Sequence, residues 1–257
     1  MATAVDATKF VTASNASAEA FKTANLLKLL SVNALITGKK GTGKLSLARH
    51  ILPDAPVIDA SHFDELLVAL QSSSALIITH IEKIPNFNTL FEHIARLPVR
   101  VIATGSESFT HEGLEELFTV KVFLPPLHER LEDVEELKRQ YVREAQVIFG
   151  EGKTVGIDGL EADLSNNAAS LRRQIYMNYL LSNISEEELM QVMEEFLLER
   201  LGSNNDYRKF LHLYEAPLIK AGLQRFKSQL QLSNKLGLNR NTLRKKISDN
   251  KEYGINE

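Results

Sequence analysis

Ser31-Val-Asn-Ala-Leu-Ile-Thr-Gly38-Lys-Lys-Gly-Thr-Gly-Lys44-Leu-Ser-Leu-Ala-Arg-His-Ile51 is the stretch that decides the fold. Residues 31–38 read as a short buried strand ending at glycine. A helix is predicted from near Gly43 through Leu45, Leu47, Ala48 and Ile51, stopped before Pro53. Between them Gly38 to Lys44 keeps the spacing G-x-x-x-x-G-K, which between a strand and a helix makes a phosphate-binding loop. Glycines at 38, 41 and 43 let backbone N–H groups turn inward around phosphate oxygens. The helix N-terminus adds partial positive charge, and Lys44 can contact the β- and γ-phosphates. The candidate nucleotide-binding residues are therefore Gly38, Lys39, Lys40, Gly41, Thr42, Gly43, Lys44 and Leu45, with ATP or ADP as the ligand. The hydroxyl that would hold Mg2+ is missing after the lysine, where Leu45 stands, and Ser46 is one place too far along, so Mg2+ stays open. The bland reading of the same residues is a glycine-rich turn without a ligand.

Working outward, Ala55–Asp59 resembles a second strand and His62–Gln71 a helix. Ser74–Thr79 and Val99–Thr104 are continuous apolar runs, the mark of strands buried on both faces. A last strand, Val120–Leu124, stops at Pro125-Pro126. Strands alternating with helices predict a mostly parallel, three-layer α/β sheet. Beyond Pro126 the pattern turns helical, over Leu131–Ile148, Ala169–Leu181 and Glu186–Leu201. Gly202–Asp206 reads as a linker and short helices follow from Tyr207, while residues 1–15 look small, polar and loosely held.

The chain has 257 residues, 44% of them hydrophobic and 25% charged, enough for two or three small domains with real cores. It has no cysteine, which excludes disulfides, thiolate metal sites and a thiol nucleophile. Neither a signal peptide nor an apolar run of membrane-spanning length is legible, so a cytoplasmic protein with no membrane partner is expected. The formal net charge of −3 hides an asymmetry: Lys220 to Lys251 carries nine basic residues against one acid, Asp249. Such a basic end on an acidic body suggests a nucleic-acid-binding module.

Within that end, Leu230–Leu236 can form a first helix, Gly237-Leu238 a tight turn and Arg240–Ile247 a second helix, with Leu232, Leu236, Leu238, Leu243 and Ile247 inside. Asn239 is a candidate N-cap. In a helix-turn-helix the second helix enters the major groove of double-stranded DNA. The candidate DNA-binding residues are Asn239, Arg240, Asn241, Thr242, Arg244, Lys245 and Lys246. Arg can read guanine and Asn adenine, while Lys246 and its neighbours are expected on phosphates. A solvated basic helix face is the ordinary alternative.

Several strings, in order, resemble the P-loop AAA+ domain of NtrC-type, sigma-54-dependent activators. They are Phe10-Val11, Leu35–Gly38, Gly41–Lys44, Val99–Thr104, Leu124-Pro-Pro-Leu-His-Glu-Arg-Leu-Glu-Asp133 and Asn167–Arg172. Leu236–Lys246 is similar to the Fis-type recognition segment that closes such proteins. The resemblance implies an AAA+ α/β subdomain over 1–126, a helical lid over 127–202 and an all-α Fis-type helix-turn-helix domain over 207–257. It also implies a homodimer through the C-terminal domain, with Pro217–Phe226 as the interface, and leaves a higher oligomer or a mixed ring with a homologue open.

The departures bear on activity. By the resemblance, the paired acids that hold Mg2+ and activate water fall at Thr79 and His80, and Glu82 lies two residues beyond, out of register. The sensor asparagine becomes Ser106, the arginine fingers fall at Thr110 and Glu116, and the second sensor arginine falls at Ala169. No GAFTGA string occurs, and only 34 residues separate Lys44 from Thr79. No catalytic residue is assigned. A DNA-binding regulator that binds ATP or ADP without fast hydrolysis, and without remodelling sigma-54 polymerase, is the expectation. An active ATPase using unorthodox residues, a non-catalytic subunit modulating an intact homologue, and a replication-regulator-like or nucleoid-organising role stay open. His80, without a visible partner, reads as structural rather than as a base. Glu132, Asp133, Glu135 and Glu136 read as a solvated helix start.

Overall fold

The apolar runs become five short parallel strands, β1 (Ala34–Thr37), β2 (Val57–Asp59), β3 (Ala75–Thr79), β4 (Arg100–Gly105) and β5 (Val120–Phe123), in the order β2-β3-β4-β1-β5. Successive side chains on a strand face opposite sides of the sheet, and the residues divide accordingly. Leu35, Leu76, Ile78, Val101 and Ala103 enter one core; Ala34, Ile36, Ile77 and Ile102 enter the other. On the second face lie α1 (Asn15–Leu29) and α2 (Lys44–Ile51), contributing Ala24, Leu27, Leu47 and Ile51. On the first lie α3 (Phe63–Ser72), α4 (Phe87–Arg96) and α5 (Leu114–Leu117), contributing Leu66, Leu70, Leu90 and Ile94. The expected three-layer α/β sheet is present.

The computed structural model describes residues 10–150, 152 and 159–255, grouped into two compact units, Met1–Ile184 and Ser185–Glu257. Two features depart from the sequence reading in the first unit. No helix was legible between Pro85 and Pro98, yet α4 forms there: the Asn86 side chain accepts the Thr89 N–H at 3.1 Å, and Phe87, Leu90 and Ile94 line its buried side. The leading stretch is also more firmly held than its composition suggests. Phe10 and Ser14 are buried, and the Ser14 N–H donates to Asp133 at 2.8 Å; residues 1–9 lie outside the described residues.

The lid consists of α6 (Leu131–Phe149) and α7 (Ala168–Asn183), packed through Val134, Tyr141, Leu171 and Ile175 with Leu127 beneath. The sequence reading runs the lid to residue 202. The first unit ends instead at Ile184, and α8 (Glu186–Leu198) groups with the second. A capping box between Ser185 and Glu188 starts α8, which buries none of its residues. After the turn at 202–205 follow α9 (Asp206–Phe210), α10 (His212–Phe226), α11 (Gln229–Lys235) and α12 (Arg240–Asp249). Ala216, Ile219, Leu232, Leu243, Ile247 and Ile255 form the core of this second unit.

Candidate nucleotide pocket and nucleic-acid interface

The loop between β1 and α2 depends on its glycines. Gly41 and Gly43 have φ of 79° and 96°, where side chains are strained, and a Cβ at Gly41 would stand 2.5 Å from the Asn166 carbonyl. Gly43, at the N-cap of α2, makes no side-chain cap, so the first N–H groups of the helix point outward unclaimed by a side chain. Lys44 folds back across the loop, its amine donating to the Gly38 and Lys39 carbonyls at 2.6 and 2.8 Å. Burial lowers its pKa below the ordinary lysine value, and the nearby carboxylates of Glu82 and Glu107 oppose that shift.

From the lid side, the outward-facing carbonyls of the loop are gripped. Asn167 donates to the Lys40 carbonyl and accepts the Leu127 N–H, both at 2.8 Å. Arg130, 2% exposed, donates to the Thr42 carbonyl at 2.8 Å and pairs with Asp133 at 3.2 Å. Asp133 is itself 1% exposed and accepts from the Ser14 N–H and the Ser14 and Ser17 hydroxyls. This corrects the sequence reading of Asp133 as part of a solvated helix start; Glu132 and Glu135 are exposed as expected. Periodicity cannot reveal such a network, because Asp133 meets Ser14 across 119 positions and Arg130 meets Thr42 across 88.

A cavity of about 670 Å3 opens over the loop, lined by all eight candidate nucleotide residues and, among others, by Phe10, His80, Glu82, Ser106 and Arg172. Thr79 and His80, at the end of β3, line the cavity too, and each is hydrogen-bonded to β2. Thr79 donates to the Ile58 carbonyl at 3.4 Å, and His80 Nδ1 pairs with Asp59 at 2.7 Å. His80 therefore has the partner that sequence could not show; the side-chain and backbone hydrogen bonds of Ser61 and, after them, that of His80 hold Asp59 far below the usual carboxylate range. Arg172 and Glu82 line the pocket without having been assigned to it from the sequence. Arg172 lies three places after Ala169 on α7 and so shares its face, pairing with Glu144 at 3.0 Å. Glu82 reaches the pocket as well, its carboxylate accepting the Ser106 N–H at 3.1 Å. The i, i+3 spacing was the available signal for Arg172; Glu82 depends on a turn that periodicity does not encode.

In the second unit, α11 and α12 meet across Gly237, whose φ of 65° makes the sharp turn. The Asn239 side chain accepts the Thr242 N–H at 2.8 Å, the N-cap expected from sequence. Leu243 and Ile247 are buried, leaving Arg240, Asn241, Arg244 and Lys245 exposed together. Lys246 differs: its amine is held by Glu215 of α10, so it is occupied within the module rather than free for phosphate.

The model of the Fis family of bacterial regulatory proteins matches residues 210–249. The DNA-binding transcriptional regulator NtrC of Rhizobium meliloti (strain 1021) is 29% identical over 62% of this chain and 43% of its own length. The chain thus spans less than half of that relative. The crystal structure of NtrX from Brucella abortus in complex with ADP is similar at a TM-score of 0.60 and 18% identity, covering 95% of this chain and 70% of that one. Domain III of the Thermotoga maritima replication initiation protein DnaA is similar at a TM-score of 0.51 and 18% identity, over 76% of this chain and 99% of that one.

Proposed function

With an NtrC-like AAA+ fold and a C-terminal Fis-type helix-turn-helix as its parts, the chain is, we propose, a DNA-binding transcription regulator whose P-loop binds ATP or ADP. The observation that carries the DNA-binding half is α12: a capped helix, fixed from below by Leu243 and Ile247, that turns Arg240, Asn241, Arg244 and Lys245 outward. Arg240 and Arg244 lie one turn apart and address one groove. Arg244→Ala should cost about 1–3 kcal/mol on a selected site and relax base preference at one position. Lys245→Ala should lower the salt slope of binding by about one on any sequence. Lys246→Ala should leave that slope unchanged, since Glu215 already holds the amine. Gel-shift titrations at several salt concentrations, on the selected site and on scrambled DNA, read all three. An intact protein that binds neither DNA at low salt would end this reading.

The nucleotide half rests on the glycine geometry, the outward N–H groups of α2 and the cavity above them. Turnover is slow at best, because Thr79 and His80 bring no carboxylate to the cavity they line and no arginine stands at 110 or 116. The regulator is therefore a nucleotide-responsive binder rather than a motor.

A second copy pairs with it through the C-terminal unit. Pro217–Phe226, the interface expected from resemblance, spends Ile219 and Gly222 on its own module, where a Cβ at Gly222 would stand 2.3 Å from Leu232. α8 offers an apolar surface for the pairing, with Leu189, Met190, Val192 and Phe196 exposed. Leu189→Glu, at a position already 53% exposed, should convert a dimer to a folded monomer in sedimentation experiments. A variant that stays dimeric would move the interface elsewhere.

A further inference from the structure

The end of β3 has no acid to offer the P-loop, yet a carboxylate stands in the pocket. His80 adopts φ 54°, ψ 49°, which reverses the chain into the short 3-10 turn Ile81–Lys83, and the buried side chain of Ile81 pins that turn. The reversal carries Glu82 over the end of β4, where the Ser106 N–H holds its carboxylate. Gly105 makes the approach possible: a Cβ there would stand 2.7 Å from the Ile81 side chain and 3.4 Å from the Glu82 carboxylate. Glu82 and Lys44 line the same cavity, close enough for the carboxylate to act on the ammonium.

The geometry points to Glu82 as the residue that makes nucleotide binding at this loop depend on a divalent cation, taking by a turn the place that the strand end has vacated. This rests on the reading of the loop as a nucleotide site. Mg2+ is commonly held by one or two carboxylates together with phosphate oxygens. Among the described residues no group of three or more His, Asp or Glu could hold an ion alone, so the cation enters with the phosphates. One fixed carboxylate beside Lys44 suits that arrangement, and with Leu45 in place of a hydroxyl it is the side chain left to meet the cation.

The electrostatics give a test with a crossing. Without a cation, Glu82 repels a triphosphate; with Mg2+ between them, it attracts the complex. The full-length protein is titrated with a fluorescent ATP analogue in Mg2+ and in EDTA, as wild type and as Glu82→Gln. Wild type should bind at least tenfold tighter in Mg2+. Glu82→Gln should bind the free analogue several-fold tighter than wild type, bind the Mg2+ complex more weakly, and lose most of the difference between the two. Glutamine keeps the acceptor for the Ser106 N–H, and circular dichroism checks the fold. A variant with the wild-type cation dependence, or one weakened equally in both buffers, overturns the assignment to Glu82 while leaving nucleotide binding intact. Wild type that binds neither form at millimolar concentration overturns both.

Discussion

Asp133→Ala is expected to lower the unfolding free energy by about 3–5 kcal/mol, because it strands a buried guanidinium. Arg130 keeps its hydrogen bond to the Thr42 carbonyl but loses the carboxylate paired with it, while the Ser14 N–H and the Ser17 hydroxyl lose Asp133 as an acceptor. Burial already depresses the Arg130 pKa, and Asp133 is what offsets that cost. At the usual few degrees per kcal/mol, the first unit should melt about 10 °C lower. Glu132→Ala, one residue away and exposed, should stay within about 0.5 kcal/mol. Denaturant melts of the two variants decide the matter; equal midpoints would mean that the network carries no net stability.

Lys44→Ala should weaken binding of a fluorescent ATP analogue by about 10- to 100-fold, the range for losing a charge-assisted contact of about 1.5–3 kcal/mol. Lys39→Ala and Lys40→Ala, both exposed on the loop, should change it only a few-fold. Stability should barely move, since Lys44 bonds only to carbonyls of its own loop. Equal losses for all three lysines would reduce the site to a diffuse positive patch.

The parts that sequence revealed are those encoded locally. The run 74–79 is apolar because β3 is buried on both faces, and Gly38–Lys44 is spaced by the turn it makes. Asn239 announces α12 by a hydrogen bond only three residues long. What stayed hidden is built from distant pairs. Nothing near Asp133 hints at Ser14, nothing near Lys246 hints at Glu215, and Asp59 meets His80 only once β2 and β3 lie side by side. Glu82 was legible as an acid but not as a pocket residue, because its position depends on one left-handed residue at His80. Helix α8 is a good helix by pattern, and pattern says nothing of which compact unit a helix joins.

Asn167 meets three demands at once. Its φ is +50°, its amide nitrogen must give a hydrogen, and its amide oxygen must take one, each at 2.8 Å from a backbone group. Aspartate is the same size but has no hydrogen to give at neutral pH, glutamine is a methylene too long, and glycine brings no side chain. Of the twenty amino acids only asparagine satisfies the site, so point changes at this codon have nowhere neutral to go.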